Sequence, residues 1–310
     1  MPRKITLPIG RALLAALAMI AAACSSSGAE LATDESTPTT STSSEAEAST
    51  DEGDAEGGEV IVDLSTKPVV AIPDGDAPTE LVIEDLVEGS GEEAGAGDFL
   101  SMQYVGVRFS DGGQFDASWD RGQPFELVLG VGQVIPGWDE GIQGMREGGR
   151  RQLTIPPDMA YGERGAGQDI PPDSTLVFVV DLLSTTSPLE VVNAPEPVTE
   201  LEVEVIAEGG GPEVEAGALV QLVYTAMLQP TGEVFDSSWQ TGQAARFVVA
   251  ASPSQSIPAW DQALVGARVG DHLRMVIPPD LGPGPLGPIG IDDTIITELV
   301  ILSVGEAPTP

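Results

Sequence analysis

The chain has 310 residues, of which 49 are acidic and 13 basic, giving a formal charge of −36 at neutral pH. That balance excludes a nucleic-acid binder, whose partner's phosphates must be neutralised by Lys and Arg, and it is read as the acidity that keeps an exported protein soluble. The length accommodates two domains of ordinary size with linkers, and the single cysteine excludes an internal disulfide.

In chain order, the N-terminus has the pattern of a processing signal. Arg3, Lys4 and Arg11 precede an apolar run over residues 12–23, too short to span a membrane as a helix. The sequence Ala21-Ala22-Ala23-Cys24 resembles a bacterial lipobox, in which the cysteine is acylated and becomes the mature N-terminus. The resemblance implies residues 1–24 as a lipoprotein signal peptide and Cys24 as a lipid anchor. The protein would then lie outside the cytoplasm, tied to the bacterial cell membrane. The open alternative is an ordinary cleaved export signal. Residues 25–67 are Ser, Thr, Ala, Glu, Asp and Gly with almost no large apolar side chain, at least to residue 58, and read as a disordered acidic tether.

Residues 68–187 read as a first domain. Its Pro-containing lead-in, residues 68–78, is a candidate edge strand. Strands are expected over 81–83 with 86–87, 99–109 (alternating apolar and polar), 125–129, 151–155 and 176–183. Trp138, Ile142 and Met145 fall on one helical face behind Pro136, a good helix start, and give the only strong helical signal. A Gly- and Pro-containing loop covers 156–173. Residues 188–198 form a Pro-rich linker, 199–306 a second domain with the same element order, and 307–310 a tail. The fold class is α+β, each domain a curled antiparallel sheet wrapped over one short helix.

The second domain restates the first. Phe115-Asp116-Ala117-Ser118-Trp119 returns as Phe235-Asp236-Ser237-Ser238-Trp239, and Val134-Ile135-Pro136-Gly137-Trp138-Asp139 as Ser256-Ile257-Pro258-Ala259-Trp260-Asp261, offset by 120 to 122 residues. A unit this long is a duplicated domain, not a solenoid repeat.

The ordered set Tyr104, Phe115-Asp116, Arg121, Phe125, Val134-Ile135, Trp138, Tyr161, Ile170-Pro171-Pro172 and Phe178 resembles the FKBP-type peptidyl-prolyl cis/trans isomerases. The resemblance implies that Trp138 is the floor of a proline pocket, with Tyr104, Phe115, Phe125, Val134, Ile135 and Phe178 as walls and Ile170 on the loop above. Asp116 would sit at the edge, tied to Arg121 and the Tyr104 hydroxyl. The Ile135 N–H and the Tyr161 hydroxyl would bond peptide carbonyls. Ala166 and Asp169 depart from the family's commonest loop residues. The implied partners are proline-containing unfolded polypeptides, with macrolide-type inhibitors by the same resemblance. No cofactor or metal is called for. Taken singly, each aromatic is more often a core residue; the order and spacing reverse that.

The second copy keeps Tyr224, Phe235, Asp236, Ile257 and Trp260, a degenerate pocket. It carries Thr241 for Arg121, Ala245 for Phe125 (unless Phe247 fills the gap), Pro283 for Tyr161 and Thr297 for Phe178. It is expected to fold alike and isomerise poorly. Trp119 and Trp239 are read as packing residues. His272, the single histidine, is expected to face solvent, which leaves no Ser-His-Asp set and no His metal site. The functional expectation is a foldase active in the first domain only. The alternative is a non-catalytic tethered chaperone using both pockets.

Overall fold

Each run of branched and aromatic residues becomes a strand, and each strand pairs antiparallel. In the computed structural model, residues 3–7 (by backbone only), 64–192, 196–285 and 289–306 are described. Cys24 and most of the acidic tether lie outside them. The first sheet comprises β2 (Val82–Val87), β3 (Phe99–Arg108), β4 (Gln114–Ala117), β5 (Phe125–Val128), β6 (Arg150–Ile155) and β7 (Leu176–Thr186), after an N-terminal strand β1 (Arg3–Leu7). Its order is β2-β6-β7-β3-β4, with β5 also on β3. The second sheet repeats this order with β8 (Leu201–Ala207), β9 (Leu219–Leu228), β10 (Glu233–Ser237), β11 (Ala245–Val248), β12 (His272–Ile277) and β13 (Ile295–Gly305). The α+β expectation of two curled antiparallel sheets is met.

Between β4 and β5 lies helix α1 (Ser118–Arg121), and between β5 and β6 lies α2 (Pro136–Gly141); α3 (Ser238–Thr241) and α4 (Pro258–Leu264) match them in the second domain. The four-residue α1 and α3 show no periodicity, which is why only one helix per domain was expected. Helix α2 starts at Pro136 as foreseen, but stops before Ile142. Trp138, Ile142 and Met145 are nevertheless all buried, because a turn ending at Gly144, whose φ is +75°, continues the same face. Only glycine takes that φ readily.

Several other expectations change. Strand β3 does not alternate between core and solvent; it is buried on both faces. Leu100, Met102 and Tyr104 join the core beneath α2, while Val105 and Val107 pack on the other side with Ala117, Val177, Trp119, Val70 and Ile72. Residues 68–78 are therefore not a strand. Pro68, Pro73 and Pro78 lack the N–H a ladder needs, and the segment instead lays Val70 and Ile72 across the sheet. Its counterpart is the linker, whose Val191 and Val198 cover Met227, Val276 and Ile296. His272 is half-buried against Glu298, 3.2 Å away, and the equivalent strand parity in β6 places Gln152 and Thr154 inside. Residues Arg3–Leu7, expected to be leader without structure, pair with β8, whose outer edge otherwise presents unpaired backbone groups.

The two sheets share a contact. Phe99, Val128 and Val223 pack with Trp239, Ala244, Val300 and Leu302, and Phe99 meets the Trp239 ring edge-on at 6.2 Å. Beside them the Glu126 carboxylate, 10% exposed, accepts from Arg246, from the Gln221 amide and from the Ala244 N–H at 3.1 Å. Trp239 is thus a packing residue at this contact, and Trp119 one on the outer face of the first sheet.

Candidate functional site

Strand β3 brings Tyr104 under the start of α2, and β7 places Phe178 opposite Gly106. Around Trp138, 4% exposed, stand Tyr104 at 5.0 Å, Phe178 at 5.2 Å and Phe125 at 5.8 Å, all edge-to-face. Phe115 meets Phe178 at 5.5 Å in the same manner. Edge-to-face contact suits the ring quadrupoles and holds each ring in one orientation. Exposure grades from the buried indole, through half-buried Phe115, Phe125, Val134 and Ile135, to Tyr161 at 41%. The arrangement is a cup with an apolar floor. Ile170 is buried in the same cluster, in a loop fastened by the Ala166 and Ile170 backbones at 2.9 and 3.1 Å.

One polar group closes the cup's edge. The Tyr104 hydroxyl donates to Asp116; Arg121 donates to Asp116 and, at 2.8 Å, to the Tyr104 oxygen. Burial, reinforced by the Asp116 hydrogen bond, pushes the Tyr104 phenol up to about 12. Burial and the Asp116 charge also raise Tyr161, so both phenols remain neutral donors at ordinary pH. The Tyr161 hydroxyl and the Ile135 N–H make no hydrogen bond among the described residues, which leaves both to a ligand.

Residues the sequence did not single out hold the cup in place. Asp139 accepts the N–H groups of Gly130 and Gly132, each at 2.9 Å, pinning the loop before α2. The Ser118 hydroxyl accepts the Tyr104 N–H at 2.8 Å. Gly106 matters most: a β-carbon there would come within 2.7 Å of both Phe115 and Phe178. The signal was present in the duplication, since Gly106 with Phe178 becomes Ala226 with Thr297.

The second domain brings Tyr224, Phe235, Asp236, Ile257 and Trp260 together around a cavity of about 630 Å³. Phe247 does fill the gap left at Ala245: it stacks on Trp260 at 5.6 Å and 25°. The Tyr224 hydroxyl donates to Asp236 at 2.6 Å, and burial, then that bond, raises its pKa. Thr241 does not replace Arg121; its hydroxyl turns back to the Ser237 and Ser238 carbonyls.

Compared with known proteins, the chain matches the FKBP-type peptidyl-prolyl cis-trans isomerase family over residues 90–183 and again over 211–294. The chain belongs to that family. An FK506-binding protein of Streptomyces anulatus is 56% identical over 119 residues, 38% of this chain and 96% of that protein. The mouse peptidyl-prolyl cis-trans isomerase FKBP9 is 35% identical over 190 residues, 61% of this chain and 31% of that one. The crystal structure of AtFKBP13 aligns with 40% identity, 36% of this chain and 96% of its own, at a TM-score of 0.33. The FKBP family match thus falls on both sheets, the second of which carries Thr241, Ala245, Pro283 and Thr297 where the first has Arg121, Phe125, Tyr161 and Phe178.

Proposed function

We propose that the first domain is the isomerase and that it acts on X–Pro bonds of unfolded or flexible exported chains. The observation that supports this best is the complete set around Trp138: an apolar floor, the Tyr104–Asp116–Arg121 edge, and two donors with no partner among the described residues.

Turning a prolyl bond means crossing about 18–20 kcal/mol of lost amide resonance. No covalent step is needed. The site need only hold the twisted bond more tightly than either planar isomer. The twisted amide is less polar than the planar one, so an aromatic cup that strips water from the bond favours it. The Ile135 N–H and the Tyr161 hydroxyl would clamp the flanking carbonyls, and each 1.4 kcal/mol or so gained only at the twisted state raises the rate about tenfold. Asp116, with its charge met by Arg121, is a secondary electrostatic contributor. Given the aromatic rim, an apolar residue before the proline is favoured over a charged one. A macrolide such as FK506 would occupy the same cup and compete. An acylated Cys24, formed once residues 1–23 and β1 with them are removed, would place this activity at the outer face of the cell membrane; mass spectrometry of the mature N-terminus tests that separately.

The direct test is a cis/trans exchange assay on an X–Pro peptide with the full chain. Exchange faster than buffer, reduced about tenfold by Tyr161→Phe through loss of one donor, is the expected result. Exchange no faster than buffer would refute the reading.

A further inference from the structure

The second domain's hollow has lost aromatic residues without closing. Thr297 stands where Phe178 stands and Pro283 where Tyr161 stands, and both line the cavity beside Phe247, which takes the place of Phe125. Trp260 lies at the bottom, 9% exposed against 4% for Trp138. A hollow of about 630 Å³ is within the ordinary range for ligand sites, roughly 300–1,000 Å³.

Its charges are unequal. Two charged residues, Asp236 and Arg246, line it. Arg246 is engaged by Glu126 of the first domain, which lies outside the cavity lining. Asp236 has the Tyr224 hydroxyl but no cation partner among the described residues, and Arg121's place is taken by Thr241. With Arg246 neutralised, the cavity carries one negative charge that a ligand can meet, in a chain whose overall field also attracts cations. The Ile257 N–H, like that of Ile135, makes no bond among the described residues and can take a peptide carbonyl.

We propose that the second domain is a binding site, without isomerase activity, for polypeptide segments that carry a bulky apolar side chain within one or two residues of Lys or Arg. Such a side chain, larger than proline, fills the space left by the missing rings, while the neighbouring cation supplies what Arg121 supplies in the first domain. The inference goes beyond the isomerase reading and does not depend on it.

The test measures binding of two fluorescent peptides to the full chain: one with Phe next to Lys, and one with Glu in place of that Lys. The Lys peptide is expected to bind at least about tenfold more tightly, the worth of a charge-assisted bond. Asp236→Asn should abolish that difference. A filled cavity should abolish binding of both. Thr297→Phe alone is the wrong variant, because the Ala226 methyl occupies the space that Gly106 leaves for Phe178, so the filling variant is Ala226→Gly with Thr297→Phe. Prolyl exchange on the same samples reports the first site separately. Equal binding of the two peptides by the unmodified chain would overturn the charge selection, as would a difference that survives Asp236→Asn. Undiminished binding by the filled variant would overturn the site.

Discussion

Tyr104 shows how much a single residue settles. Its ring is a wall of the cup, its hydroxyl donates to Asp116 and accepts from Arg121 at the edge, and its backbone N–H is held by Ser118. All three tyrosines of the chain have raised pKa values, with burial the largest cause in each. A phenol that holds its proton more tightly when folded contributes stability present below the unfolded value near 10 and lost as pH rises through the folded value, about 12 for Tyr104. Stability should therefore fall between about pH 10 and 12, and thermal melts across that window should show a shallower fall for Tyr104→Phe. An equal slope in that variant would mean that the phenol is not held as described. Gly106 belongs to the same scale. Its need was not visible from the glycine itself; it appears when the residue across the sheet is Phe in one copy and Thr in the other.

At the level of elements, helix α2 carries Trp138 and is too short to stand alone. Arg151 supports it from β6: the buried guanidinium donates to the Gly141 and Gln143 carbonyls at 2.9 and 3.0 Å and pairs with Asp85. The matching residue in the second domain is Leu273, and there α4 runs one residue longer. Arg151→Ala should cost about 2–3 kcal/mol, from two carbonyls left without donors, and should slow exchange as Trp138 loosens. Denaturant melts check the first effect and the prolyl assay the second. The strands, the helix start at Pro136 and the aromatic set were legible because branched runs, Pro at the first helical turn and a long ordered motif each have a local cause. The both-face burial of β3 was not, because the segment covering its outer face is Pro-containing and has no periodicity. Nor was the environment of His272, because its partner Glu298 lies on a neighbouring strand.

For the whole molecule, duplication has produced two cups with different contents. The first is lined by four aromatic rings packed edge to face, three on Trp138 and Phe115 on Phe178; the second is open, with one stacked ring, Phe247, on Trp260. Glu126 joins the two sheets, and no pattern in the sequence marked it, since a Glu on a strand is ordinarily a solvated residue. Glu126→Ala strands Arg246, Gln221 and the Ala244 N–H together, and scanning calorimetry should find one unfolding transition becoming two; a single, unshifted transition would mean the contact contributes nothing. The central claim, that exchange depends on the first cup alone, is tested most directly by the prolyl exchange rate of full-length Trp138→Ala, with circular dichroism to verify its fold. Removing the floor forfeits about 1.5–3 kcal/mol of apolar contact with the substrate ring, roughly 10- to 100-fold in rate. The account predicts a folded protein whose exchange rate falls by that roughly 10- to 100-fold factor; a folded variant keeping half or more of the original rate would contradict it.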